Sequence, residues 1–112
     1  MNDKKHEVDV AIIGGTGSEV TLDNIEERKV YTPYGSTSAA IMIGRFKGIS
    51  VAYIPRHGIN HSIPPHRINF RANIWALKEL GVRFIISPSA VGSLRKTHHK
   101  GKFILVEQYI DR

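Results

Sequence analysis

The sequence predicts an α/β domain: a mixed, mainly parallel sheet with flanking helices. Two observations carry that expectation. Apolar, β-branched runs recur along the chain, and three of them stop at clusters of glycine, proline and hydroxyl residues, the pattern of buried strands running into tight turns. A segment between the second and third, Asn69 through Leu80, instead carries its apolar residues at helical spacing. Strand, polar turn, helix and strand in that order point to an α/β layer arrangement.

The elements follow in chain order. Glu7 through Ile13 is a buried strand feeding Gly14-Gly15-Thr16-Gly17-Ser18. Asp23 to Glu27 is expected as a short helix before Val30-Tyr31-Thr32. Ala39 through Phe46 and Ile49 through Ile54 are strands joined at Lys47-Gly48, a hairpin in which Gly48 takes the positive φ the turn demands. Pro55 closes the second of these strands. Residues 56–66 are expected to be irregular, because Pro64-Pro65 forbids a helix interior. The helix from Asn69 to Leu80 groups Ala72, Trp75 and Ala76 on one face with Ile74 and Leu77 beside them, leaves Arg71, Lys78 and Glu79 to solvent, and has Gly81 as its C′ residue. Val82 through Ser87 is another buried strand, broken at Pro88, and Phe103 to Val106 is a last apolar run.

With 112 residues, 41% hydrophobic and 23% charged, and no repeat, low-complexity tract or linker, the chain is expected to form one domain over 1–112. Sixteen Lys and Arg against ten Asp and Glu leave a charge of +6, which directs attention to anionic ligands. The cations are scattered, from Lys4-Lys5 and Arg28-Lys29 to Arg95-Lys96 and Lys102, without interleaved aromatics. A small anion is therefore expected as partner, and nucleic acid is not. The absence of cysteine excludes disulfides, thiolate ligands and cysteine nucleophiles, and makes the cytoplasm the expected compartment. No apolar stretch reaches the roughly 18 residues of a membrane span, and Val10 to Ile13 is too short for a signal-peptide core.

Four places could carry chemistry. Gly14 to Ser18 offers converging backbone N–H groups and two hydroxyls, either for a phosphate or simply as a tight turn. It lacks the Gly-Lys-Ser/Thr of a P-loop and the third glycine of the dinucleotide fingerprint. Arg56-His57-Gly58 sets a planar guanidinium and an imidazole just past a strand end, suited to phosphate oxygens or, more plainly, to a surface carboxylate. His57, His61 and His66 lie in one loop, but without a helix or an intervening carboxylate they read as hydrogen-bonding or pH-sensitive groups ahead of metal ligands. His98-His99, between Lys96 and Lys100, most simply forms a solvated basic turn. Ser87 to Ser93 again joins hydroxyls and glycine after a strand. Ser89 lies in no nucleophile elbow, so an anion-directed hydroxyl is the more economical role.

Taken together these residues resemble the 5′-methylthioadenosine phosphorylases of the trimeric purine nucleoside phosphorylase family. The matching stretches are Ile12 to Gly17, Tyr31 to Gly35, Arg56-His57-Gly58, Ile68 to Lys78, Ser89 to Arg95 and Gln108 to Arg112, in family order over nearly the whole chain. The resemblance implies a phosphorylase/hydrolase-like nucleoside phosphorylase fold, of which residues 1–112 are the N-terminal part. It implies phosphorolysis of methylthioadenosine to adenine and methylthioribose 1-phosphate, in purine and methionine salvage. Inorganic phosphate is then a co-substrate, and no metal or organic cofactor is expected.

By the same resemblance the phosphate-binding residues are Thr16, a hydroxyl donor after the first strand; Arg56 and His57, an Arg-His pair; and Ser89-Ala90, a hydroxyl and its neighbour. His61 coincides with a family histidine to which no role is given. The family's purine-contacting aspartates lie beyond Arg112. The expectation is therefore a phosphate-binding half-site, inactive alone, in a homo-oligomer (trimer or hexamer in the family) or completed by a complementary C-terminal chain. Two other readings stay open: a related purine nucleoside or methylthioinosine phosphorylase, and a non-catalytic remnant that binds phosphate or a full-length subunit.

Overall fold

A run of β-branched residues with few polar interruptions is typical of an inner strand with parallel neighbours, and that is where the first strand sits. In the computed structural model, which describes residues 7–15, 21–89, 93–98 and 100–106, β1 (Val10–Gly14) lies inside a five-stranded sheet. Its companions are β2 (Asp23–Arg28), β3 (Ile41–Phe46), β4 (Ile49–Pro55) and β5 (Phe84–Ile86), in the order β2-β3-β4-β1-β5. The sheet is mixed, as expected. β1 pairs parallel with β4 and β5, while β2, β3 and β4 form an antiparallel meander.

The hairpin between β3 and β4 turns at Lys47 (φ 49°) and Gly48 (φ 81°), with Phe46 opposite Ile49. Two consecutive positive φ values give the twist that suits a two-residue connection. Glycine accepts this freely; the lysine does so under the pull of the ladder on either side.

Asp23–Arg28 is a strand and not the expected short helix. Glu26, Glu27 and Arg28 favour helix in isolation, but the open edge of β3 offers them a ladder of backbone partners, and tertiary pairing overrides the local preference. The strand accommodates one extra residue by a bulge between Asp23 and Glu26, with Asn24 at φ 53°. Its exposed charges blunt that edge of the sheet.

One helix, α1 (Phe70–Glu79), covers one face of the sheet. Asn69 Oδ1 accepts from Ala72 N at 3.1 Å and caps its start. At the other end Gly81 (φ 76°) and Val82 donate to Lys78 O and Leu77 O at 3.0 and 3.2 Å, closing the last turn. Ala72, Ala76, Leu77 and Leu80 are buried, and the last three share one core cluster with Ala11, Ile13, Ile41, Ala52 and Ile54. The helix is rotated from the expected phase: Asn73 joins the buried stripe, while Trp75 is half-buried and Ile74 exposed. Between β4 and α1, residues 56–66 are less irregular than expected, forming 3₁₀ turns at Ile59–His61 and Pro65–Arg67.

β5 differs from its expectation as well. It is short, and Phe84 (68%) and Ile86 (54%) are exposed where the sequence predicts a buried strand. An apolar run is buried only if something covers it, and β5 has β1 on one side alone. The run 103–106 is exposed and outside the sheet. No helix among the described residues is long and apolar enough to cross a membrane.

Candidate anion site at the strand ends

Because β1, β4 and β5 run parallel, their C-terminal ends open on one edge of the sheet, the usual place for ligands in such folds. Gly14 is in register with Pro55, and Arg56 N donates to Gly14 O at 2.9 Å, so the chain leaving β4 passes beside the turn leaving β1. From the other side Ser87 Oγ donates to Ile13 O at 3.3 Å, tying the segment after β5 to the same edge.

The Arg56 side chain bridges these loops. Its Nη1 donates to Pro88 O at 3.0 Å. Its guanidinium lies so close to Gly15 that a Cβ there would stand 2.8 Å from Cζ. Glycine at this position makes room for the cation. None of the segments 14–15, 55–58 and 87–89 contains a carboxylate, so a fixed positive charge lies among backbone dipoles and hydroxyls, a setting for an oxyanion.

His57 sits next along the turn. Gly58 N donates to Pro55 O at 2.9 Å, which places Arg56 and His57 at the two corners of a four-residue turn. The His57 Nδ1 is 3.0 Å from Ile63 O. A carbonyl only accepts, so Nδ1 carries the hydrogen in this contact. Ile63 N returns a bond to His57 O at 2.7 Å, so the ring and its backbone are held by one residue of the following loop.

Behind the turn, Ser38 Oγ donates to Arg56 O at 2.7 Å. Ser38 in turn is held by Asn73: its N donates to Asn73 Oδ1 at 2.9 Å, and Asn73 Nδ2 donates to its Oγ at 3.1 Å. Asn73 is fully buried, and no buried side-chain nitrogen or oxygen among the described residues lacks a partner.

Of the residues singled out in the sequence, Arg56 and His57 lie together on this edge, with exposed Ser89 one residue past the Pro88 carbonyl that Arg56 grips. Thr16 and Ala90 lie outside the described residues. His66 is exposed in the Pro65–Arg67 turn, and no three His, Asp or Glu side chains among the described residues assemble as a cation's ligands. Sequence reasoning missed Ser38 and Asn73. Asn73 did leave a trace, an amide between Ala72 and Ala76 on a helix otherwise apolar on that side. Ser38 left none.

The chain is similar to known phosphorylases in sequence and in fold. The S-methyl-5′-thioadenosine phosphorylase of Saccharolobus solfataricus is 52% identical over 113 residues, covering 99% of this chain and 42% of the relative. The purine nucleoside phosphorylase of Streptomyces coelicolor is 44% identical over 108 residues, covering 96% and 39%. A crystal structure of a methylthioadenosine phosphorylase from an Antarctic soil metagenomic library superimposes with a TM-score of 0.76 at 48% identity, over 84% of this chain and 33% of that one. The chain thus spans 39–42% of the length of these curated relatives. A family model for the phosphorylase superfamily matches residues 9–112, and the chain belongs to that superfamily.

Proposed function

We propose that this chain carries the phosphate-binding part of the site of a methylthioadenosine phosphorylase. The observation that supports it best is the meeting of three strand ends around the Arg56 guanidinium, in a chain 52% identical to the Saccharolobus enzyme named for that reaction. In phosphorolysis a phosphate oxygen bonds to the anomeric carbon while that carbon's bond to the purine nitrogen breaks. The electron pair leaves with the base, which takes up a proton as the hydrogen phosphate gives one up on becoming an ester, and the products are adenine and methylthioribose 1-phosphate. The sugar carbon is cationic in passing, so a phosphate dianion held beside it is both nucleophile and counter-charge.

In this reading Arg56 grips phosphate oxygens with its planar fork and His57 supports it from the same turn. The hydroxyls of Thr16 and Ser89 and the backbone at Ala90 complete the cradle. The reaction uses no metal or organic cofactor. Purine recognition is assigned to the part of the relatives' length that this chain does not span, and in this reading the protein works in the cytoplasm as a homo-oligomer or with a complementary chain. The likeness to the Streptomyces purine nucleoside phosphorylase supports a second reading, a different nucleoside with the same phosphate chemistry.

The test is a calorimetric titration of the purified chain with inorganic phosphate, beside an assay of adenine release from methylthioadenosine, each repeated with Arg56→Ala. Phosphate binding that weakens about tenfold or more in Arg56→Ala is expected, the scale of a hydrogen bond from a charged group. Binding unaffected by that change would overturn the reading. Phosphorolysis of inosine in preference to methylthioadenosine, once the rest of the site is supplied, would select the second one.

A further inference from the structure

We propose that Asn73 and Ser38 form a positioning relay that sets the orientation of the Arg56–His57 peptide, and through it the directions in which both side chains leave the turn. The proposal rests on the reading of Arg56 and His57 as phosphate ligands and adds to it two residues distant in sequence.

Asn73 is fully buried within the helix stripe that faces the sheet. An amide in that position is costly unless its hydrogen-bonding groups are satisfied. Its Oδ1 and Nδ2 both engage the same residue, Ser38, at 2.9 and 3.1 Å. One helical turn earlier, Asn69 Nδ2 donates to Tyr34 O at 2.8 Å. The first half of α1 therefore grips the 34–38 segment at two points, and the second grip continues to the site.

The polarity of that continuation is fixed. A hydroxyl has one hydrogen, and Ser38 Oγ gives it to Arg56 O at 2.7 Å. The Asn73 amide must then donate to Oγ, so the bonds run in one direction, from Asn73 Nδ2 to Ser38 Oγ to the Arg56 carbonyl. Each donor in such a chain polarises the next.

The recipient is a sensitive place. Arg56 and His57 occupy the corners of the turn closed by Gly58 N and Pro55 O, and the peptide between such corners can flip with little movement of its flanks. The flipped form needs positive φ at the second corner. Among the described residues only Asn24, Lys47 and Asn60 show this without being glycine, and His57 does not. Ser38 thus holds the form natural to an L-residue. In a trans peptide the carbonyl and the next N–H point opposite ways, so tying Arg56 O back to Ser38 turns the His57 N–H away from it.

The test uses Ser38→Ala and Ser38→Thr, with Arg56→Ala alongside. Three readouts are taken: affinity for inorganic phosphate, the melting midpoint, and the backbone amide shifts of His57 and Gly58 without phosphate. Ser38→Ala is expected to weaken phosphate binding about three- to tenfold, the scale of one hydrogen bond. It should move both amide signals and lower the melting midpoint by several degrees, because the buried Asn73 Nδ2 loses its acceptor. Ser38→Thr, which keeps the hydroxyl, is expected to restore affinity and shifts together. Unchanged amide signals in Ser38→Ala would overturn the relay, and so would a loss of affinity that merely tracks the melting midpoint and that threonine does not rescue. If Arg56→Ala binds phosphate normally, the phosphate reading fails while the amide shifts still judge the relay.

Discussion

Replacing Gly15 with alanine should disarm Arg56 without unfolding the chain. The new Cβ would stand 2.8 Å from Arg56 Cζ, against an optimal carbon–carbon separation of roughly 3.5–4.0 Å, so the guanidinium must retreat by about 1 Å. Being the end of a flexible side chain, it can do so, at the cost of its bond to Pro88 O. That bond contributes about 1 kcal/mol or less at an exposed site. Gly15 does not occupy the left-handed region, so alanine returns about 0.4–1 kcal/mol by narrowing the unfolded ensemble. The melting midpoint should therefore barely move. Phosphate affinity, which depends on the arginine's position, should fall about 10- to 100-fold, the equivalent of about 1.5–3 kcal/mol for a charged hydrogen bond. Calorimetric titration with inorganic phosphate of Gly15→Ala, Arg56→Ala and the double variant checks this. The double variant is expected to bind as weakly as Arg56→Ala alone, because both changes remove the same contact. Losses that add would show that Gly15 acts independently of Arg56 and refute the reasoning.

Three further outcomes follow from the packing. Gly44→Ala brings a Cβ to 2.7 Å from Leu22 Cβ and 2.9 Å from Asp23 O; neither is a flexible tip, so urea unfolding should report a loss of about 1–3 kcal/mol. Leu77→Ala opens a cavity beneath the fully buried face of α1 and should cost about 2–5 kcal/mol, enough to populate unfolded chain visible by circular dichroism. Glu7→Gln removes one partner of Arg28, whose guanidinium donates to Glu7 and Glu26 at 2.8 and 3.0 Å; both sides are partly exposed, so the urea midpoint should report less than about 1 kcal/mol, vanishing in high salt. Hydrogen bonding first to Glu7 and then to Glu26 raises the Arg28 pKa above its ordinary value. A raised folded-state value contributes stability that is complete below the unfolded pKa and lost only as pH rises through the folded one, so this contribution should be flat between about pH 6 and pH 10.

Local chemistry was the legible part of this fold. Lys47-Gly48, Asn69 and Gly81 announce a hairpin and both helix ends because each feature is set by its own backbone dihedrals or by a partner a few residues away. The strand ends are legible to within one residue, expected at Ile13, Ile54 and Ser87 and found at Gly14, Pro55 and Ile86, and with them the positions of Arg56 and His57 just past a strand end. What escaped was set by distant partners. Asp23–Arg28 is a strand because β3 is beside it, although its own composition leans towards helix. Val82 through Ser87 reads as buried, yet nothing among the described residues covers Phe84. Hydrophobicity alone sets Trp75 on the buried face of α1, whereas the buried position belongs to Asn73, the amide that Ser38 satisfies. No periodicity in the sequence links Ser38 to Arg56; their meeting requires the folded sheet.

The central place of β1 has a consequence for the order of assembly. β3 and β4 are joined by two residues and can pair within microseconds of meeting. β1 is made first but has no partner near it in the chain: Val10 pairs with Val51 on one side and with Phe84 on the other. Closing those loops costs entropy before any contact repays it, so the parallel pairings are the slow ones. On the ribosome the first strand must wait, exposed and apolar, until β4 has emerged as the far half of a finished hairpin. In that interval Val10-Ala11-Ile12-Ile13 is the segment most open to a chaperone or to misassociation, and the anion site cannot exist until β1 has been threaded into place.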